Sequence, residues 1–205
     1  AMNRGPALDD SDDESSSSSS ISKGPYRTDP KGDELRKDAE KRLKAFSLFS
    51  GNQKYEDAIE LFEKAAAQYK MNKNWQEAGE VYVRCAEIYH NNLKEAHDES
   101  VMYDNAAKAF KNCNLKEAIR CYGSAVEILM ENNKFSMAAK IWKEMGALQE
   151  KDHDLKGALA AYDKAAQCFE ADNAAANASA MWIKVAGLSA DNGDYNKAIK
   201  IYEKD

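Results

Sequence analysis

Residues 154–169 read "DLKGALAAYDKAAQCF", and their spacing decides the fold. Ala158, Tyr162 and Ala166 stand four residues apart, which puts small, aromatic and small side chains on a single stripe of an α-helix. The same stripe repeats along the chain. The aromatic position is filled in turn by Phe62, Tyr82, Tyr103, Tyr122, Trp142, Tyr162, Trp182 and Tyr202, in steps of 20 residues except for one pair of 21 and 19. Four residues before each stands an alanine, with Glu99 the exception, and a small residue often follows four residues after. Between the stripes come polar clusters: "NKN" at 72–74, "NN" at 91–92, "NCN" at 112–114, "NN" at 132–133, "DHD" at 152–154, "DN" at 172–173 and "DNGD" at 191–194. Asn, Asp and Gly end and restart helices, because they tolerate left-handed backbone or compete with the helical hydrogen bonds.

Each block therefore predicts one helix of about 15 residues and a short turn. All three prolines lie before residue 31, so none interrupts these helices. Short turns force neighbours antiparallel, and the small residues let them approach closely. The expected fold is all-α: antiparallel helix pairs stacked into a tetratricopeptide-like solenoid, forming a twisted helical sheet with the aromatic stripe as its core.

Residues 1–33 differ in composition. The run "LDDSDDESSSSSS", followed by Gly24, Pro25, Pro30 and Gly32, predicts a disordered acidic, Ser-rich tail, and residues 34–205 are assigned to the helical repeat domain. Eight acidic and four basic residues in 1–34 leave only -2 of the total charge of -6 for the rest. A nearly balanced folded part argues against nucleic acid as a partner. The sequence has no apolar run of 18 residues and no secretory h-region, so a cytoplasmic location is expected. The four cysteines, widely spaced and without a Cys-x-x-Cys pair, are expected to be reduced thiols.

Catalytic patterns are missing. There is no phosphate-binding glycine loop and no His-Glu-x-x-His, and the three histidines are scattered, so neither metal nor cofactor is expected. The composition points to a binding protein, not an enzyme. One stretch stands apart from the stripes: "KAFSLFSG" at 44–51 places Phe46, Leu48 and Phe49 among serines and a glycine. These residues either fold under the first helix pair or touch something outside the chain.

Several stretches together resemble the soluble NSF attachment protein family, the alpha type more than the gamma type. They are "KMNKNWQEAGEVY" (70–82), "KEAIRCYGSAVEIL" (116–129), "NKFSMAAKIW" (133–142), "DLKGALAAYDKAAQCF" (154–169), "IKVAGLSA" (183–190) and "DYNKAIKIYE" (194–203). The likeness runs over about residues 35–205, with "KNW" and "KVAG" its more specific fragments. It implies an adaptor that wraps a SNARE four-helix bundle and presents it to the NSF ATPase. It also implies that "AFSLFSG" (45–51) is a membrane-touching loop, one residue shorter and one phenylalanine poorer than the family's. Burying Phe46, Leu48 and Phe49 would contribute about 1.5–3 kcal/mol each, enough for weak, peripheral attachment that reinforces a second contact.

The resemblance further implies SNARE-facing lysines at Lys73, Lys111, Lys134, Lys140 and Lys184. Ala180 stands where the family commonly has another lysine, which thins the basic patch at that end. Family members continue for roughly a hundred more residues to an acidic, leucine-bearing end that engages the ATPase, so an N-terminal fragment is expected. The competing reading from the residues alone is a general tetratricopeptide-type scaffold that grips an extended peptide.

Overall fold

The computed structural model describes residues 29–45 and 51–203, and within them the backbone is helical throughout, joined by short turns. The helices are α1 (Pro30–Lys44), α2 (Gln53–Met71), α3 (Trp75–Ile88), α4 (Ala96–Phe110), α5 (Leu115–Glu131), α6 (Phe135–Lys151), α7 (Leu155–Ala171), α8 (Ala175–Asp191) and α9 (Tyr195–Tyr202). Successive helices pack as antiparallel neighbours, confirming the helix-pair solenoid. Ion pairs tie alternate helices together: Arg36 to Glu80 and Arg84 to Glu40 between α1 and α3, and Lys184 to Glu150 between α6 and α8. The odd-numbered helices thus form one layer and the even-numbered helices the other.

The turns explain the regular period. After α2, the amide of Asn74 donates to the carbonyl of Tyr69 at 2.8 Å, and Lys73 takes a left-handed conformation with φ 60°. The same closure follows α5, α6, α7 and α8, where Lys134, Asp154, Ala174 and Asp194 donate to Leu129, Gln149, Phe169 and Ser189. This six-to-one bond is the Schellman termination, and it satisfies carbonyls that a helix end leaves orphaned. The left-handed residue is Asn133, His153, Asn173 or Gly193 in those turns. The next helix is then opened by Asn114, Asp154 and Asp194, whose side chains accept the amides of Glu117, Gly157 and Lys197.

The tail boundary drawn from composition falls inside a helix. Pro30 and Gly32, assigned to the tail by composition, belong to the first turn of α1. Proline suits that turn because its missing N–H would have no partner there. Asp29 caps the helix by accepting the amide of Gly32 at 3.0 Å, and its other oxygen takes the side-chain amide of Asn72 at 2.7 Å. Gly32 is buried because the ring of Tyr69 lies where a side chain would stand, and the Tyr69 hydroxyl donates to Asp33 at 2.7 Å. Helix α1 is therefore docked on α2, one element ahead of the eight read from the period.

The aromatic stripe is only partly core. Phe62, Tyr82, Tyr122 and Tyr162 are buried, whereas Tyr103, Trp142 and Trp182 are half-buried and Tyr202 is exposed. The polar atoms account for part of this. Trp182 keeps its indole N–H within 2.8 Å of the exposed Glu170 carboxylate, whereas Tyr122 and Tyr162 reach Glu144 and Glu150 from inside.

The 21-residue step also has a structural cause. Helix α3 continues into a π-helical turn over Tyr89–Leu93 that ends on left-handed Lys94, which inserts the extra residue. Beside it sits the exception in the small-residue series: Glu99 is buried and lies 3.1 Å from His90 Nδ1 of that turn.

Candidate functional site

A groove of about 210 Å³ opens between α4 and α6 on the even-numbered layer, with Leu129 of α5 beneath it. Helix α4 contributes Ser100, Val101, Asp104 and Lys108, and α6 contributes Met137, Lys140, Ile141 and Glu144. These residues recur every three or four positions, so each set lies on one face of its helix. Val101, Met137 and Ile141 give the groove apolar walls. Four charges of both signs are set into them.

The charges are not equivalent. Lys108 Nζ lies 2.6 Å from Asp104 Oδ2, one turn earlier on the same helix. Asp104 Oδ1 is shielded from solvent and makes no hydrogen bond among the described residues. Burial pushes the Asp104 carboxyl above the usual aspartate range, and the pull of the Lys108 ammonium only partly offsets it. Lys111, at the end of α4, adds a second cation to the field around Asp104. Burial works against the Lys108 ammonium, but Asp104 and Glu144 outweigh it, so its pKa is raised. Glu144 Oε2 accepts the Tyr122 hydroxyl at 3.0 Å, which fixes that carboxylate at the edge of the groove. Lys140 is exposed and forms no ion pair among the described residues.

The five lysines singled out in the sequence are dispersed. Lys140 lines the groove, and Lys111, outside its lining at the end of α4, acts on Asp104 only through its charge. Lys73 lies in the turn after α2, at the same edge of the solenoid as Lys111, while Lys134 opens α6 at the opposite edge. Lys184 on α8 is held 2.8 Å from Glu150, with its ammonium 5.7 Å from the centre of the Tyr162 ring. The Lys184 hydrogen bond keeps the Glu150 carboxyl below the usual glutamate range against the opposing effect of burial, with Tyr162 and the Lys184 charge helping. Phe46, Leu48 and Phe49 lie outside the described residues.

Sequence reasoning missed Asp104, Lys108 and Glu144. The i, i+4 pairs Asp104/Lys108 and Lys140/Glu144 were visible as spacing, but the meeting of α4 with α6 depends on packing two helices apart in the chain.

A larger groove, about 550 Å³, lies on the opposite layer between α5 and α7, above Phe135 and Trp142 of α6. There the Lys164 ammonium sits 5.7 Å from the centre of the Trp142 ring, and Cys168 Sγ lies 3.6 Å from Met130 Sδ. Both grooves flank the α5–α6 junction, the least closely packed pair of consecutive helices. Elsewhere the thiols are quiet. Burial pushes Cys121 up to about 11, and among the described residues no three metal-ligating side chains converge. No helix among the described residues is long and apolar enough to cross a membrane.

Comparison with known proteins gives the arrangement a context. The beta-soluble NSF attachment protein of Bos taurus is 37% identical over 83 residues, covering 38% of this chain and 28% of that protein. The alpha-soluble NSF attachment protein of Homo sapiens is 39% identical over 64 residues, covering 31% of this chain and 21% of that protein. The matched stretches thus take in roughly a quarter of the relatives' length. Among solved structures, BtubC (BKLC) from P. vanneervenii superposes with a TM-score of 0.52 at 18% identity, over 83% of this chain and 74% of that one. The TPR-like repeats of a Podosopora anserina putative kinesin light chain give 0.50 at 16% identity, over 84% and 93%. Likeness at that identity shows the fold: a tetratricopeptide-like helical repeat. The family model described as "Soluble NSF attachment protein, SNAP" matches residues 30–204, from the first turn of α1 to beyond α9, and the chain belongs to that family.

Proposed function

We propose that this protein is an adaptor, not an enzyme, which binds assembled SNARE complexes and recruits the NSF ATPase for their disassembly in vesicle fusion and intracellular transport. The observation that carries this reading is the family match over residues 30–204. The α4/α6 groove supplies a physical means. Lys140 and Lys108 meet solvent there, Lys111 is exposed further along at the end of α4, and Val101, Met137 and Ile141 offer an apolar seat for a helix of an acidic bundle. Exposed charges of this kind steer and orient a partner more than they bind it, at about 0.2–1 kcal/mol each.

Lys73 and Lys134 extend the contact toward the two edges. Lys184 joins only by giving up Glu150. Phe46, Leu48 and Phe49 add a weak membrane contact, so the protein works in the cytoplasm, peripherally on membranes. A pull-down with assembled SNARE bundle and with its separate, unfolded components tests the proposal. Capture of the bundle in preference to its components is expected. Capture of single peptides alone would favour a general peptide-binding scaffold instead.

A further inference from the structure

We propose that the α4/α6 groove selects a partner helix carrying one cationic side chain flanked by acidic ones, the cation seated between Asp104 and Glu144. The inference rests on the adaptor reading and sharpens it, because a plain basic face would attract any acidic surface.

Three observations support it. The groove walls carry two carboxylates alongside the lysines, so its charge pattern is mixed. Each carboxylate takes one side-chain hydrogen bond among the described residues, Asp104 Oδ2 from the Lys108 ammonium and Glu144 Oε2 from the Tyr122 hydroxyl, while the Lys108 charge also acts on Glu144 through space. Asp104 Oδ1 stays shielded from solvent without a donor among the described residues, which is costly for a charged group and is relieved by a donor that enters the groove. A guanidinium suits this position best, since its planar fork offers donors to both carboxylates at once. Lys140, one turn before Glu144, and Lys111, two turns beyond Asp104, form no ion pair among the described residues and would meet acidic residues on either side of the cation on the same partner helix. The groove holds about 210 Å³, room for one long side chain projecting from a helix that lies across its mouth.

The test depends on the sign of an effect. For a simple basic face, removing a carboxylate strengthens binding to an acidic bundle by about two- to fivefold. For the selective groove, Glu144→Gln weakens it about tenfold, as the loss of a charge-assisted hydrogen bond requires. Glutamine keeps an oxygen for the Tyr122 hydroxyl, and an unchanged thermal melt confirms that the fold is intact.

Binding of assembled SNARE bundle to the unmodified chain, to Glu144→Gln and to Asp104→Asn is the measurement. Weakening by Glu144→Gln supports the selective groove, and equal or tighter binding overturns it. If the unmodified chain binds no bundle, the adaptor reading fails, and titration with methylguanidinium followed by amide NMR then decides the groove. Shifts confined to residues 100–108 and 137–144, and lost in Glu144→Gln, uphold the cation seat. Absence of such shifts, or their persistence in Glu144→Gln, rejects it.

Discussion

Asp29 closes two ends at once, since its carboxylate caps α1 and receives Asn72 from the end of α2. Asp29→Ala is therefore expected to cost about 1–2 kcal/mol in urea unfolding, at the upper end for a cap, because the part-buried Asn72 contact is lost with it. Gly79 meets a different constraint. A Cβ there would come within 2.6 Å of the Phe110 ring, so Gly79→Ala should destabilise by about 1–3 kcal/mol. Gly123 and Gly187 have nothing within 4 Å of the same position, and Ala at either should stabilise by about 0.4–1 kcal/mol. Thermal melts of the three variants would check the contrast.

The Glu150–Lys184 pair makes a pH prediction with a definite sign. Because the folded carboxyl titrates below its usual value, the pair contributes at neutral pH and is lost as pH falls through the lowered folded value. Lys184→Met should cost about 0.2–1 kcal/mol at pH 7. Its curve should meet that of the unmodified protein below the ordinary glutamate range, about pH 4.

At the scale of helices and turns, most of the architecture was legible. The alanine and aromatic period announced each helix from α2 to α9, and the Asn/Asp clusters marked the turns to within a residue or two, except that Asn91 and Asn92 fall inside the π-helical turn and the helix breaks after it. Helix α1 was obscured because composition assigns Pro30 and Gly32 to the tail, and only the cap by Asp29 and the packing of Tyr69 show why they fit a first turn. Local spacing likewise could not tell which aromatics would be half-exposed, since burial depends on helices two positions away. The candidate groove was less legible still. Lys140 and Lys111 were picked out by resemblance, but their association with Asp104 and Glu144 comes from stacking that no single helix encodes.

The turns themselves are not uniformly suited to their geometry. His153 occupies the left-handed position with φ 62°, where Gly193 stands after α8. His153→Gly should relieve that strain and stabilise by up to about 1 kcal/mol, visible as a rise in the urea midpoint without a change in slope.

For the whole molecule, a solenoid has no central core, so each helix pair depends on its neighbours. In the proposed function a charged groove acts together with a greasy loop, each weak alone. Flotation with liposomes should bring up the unmodified chain and leave Phe46→Ser/Phe49→Ser in solution. Addition of SNARE-bearing liposomes should restore part of the binding through effective concentration. Bundle binding itself should fall as salt rises from 50 to 300 mM, because exposed lysines act through a field that ions screen within about 10 Å at 0.1 M.

The thin packing between α5 and α6 divides the described stack into an amino-terminal block of five helices, α1 to α5, and a carboxy-terminal block of four, α6 to α9. Amide exchange should register this as two cooperative units, with residues 115–131 and 135–151 opening independently. A partner lying across the α4/α6 groove bridges the two blocks, so binding would splint the seam and leave its trace in slowed exchange far from the contacted side chains.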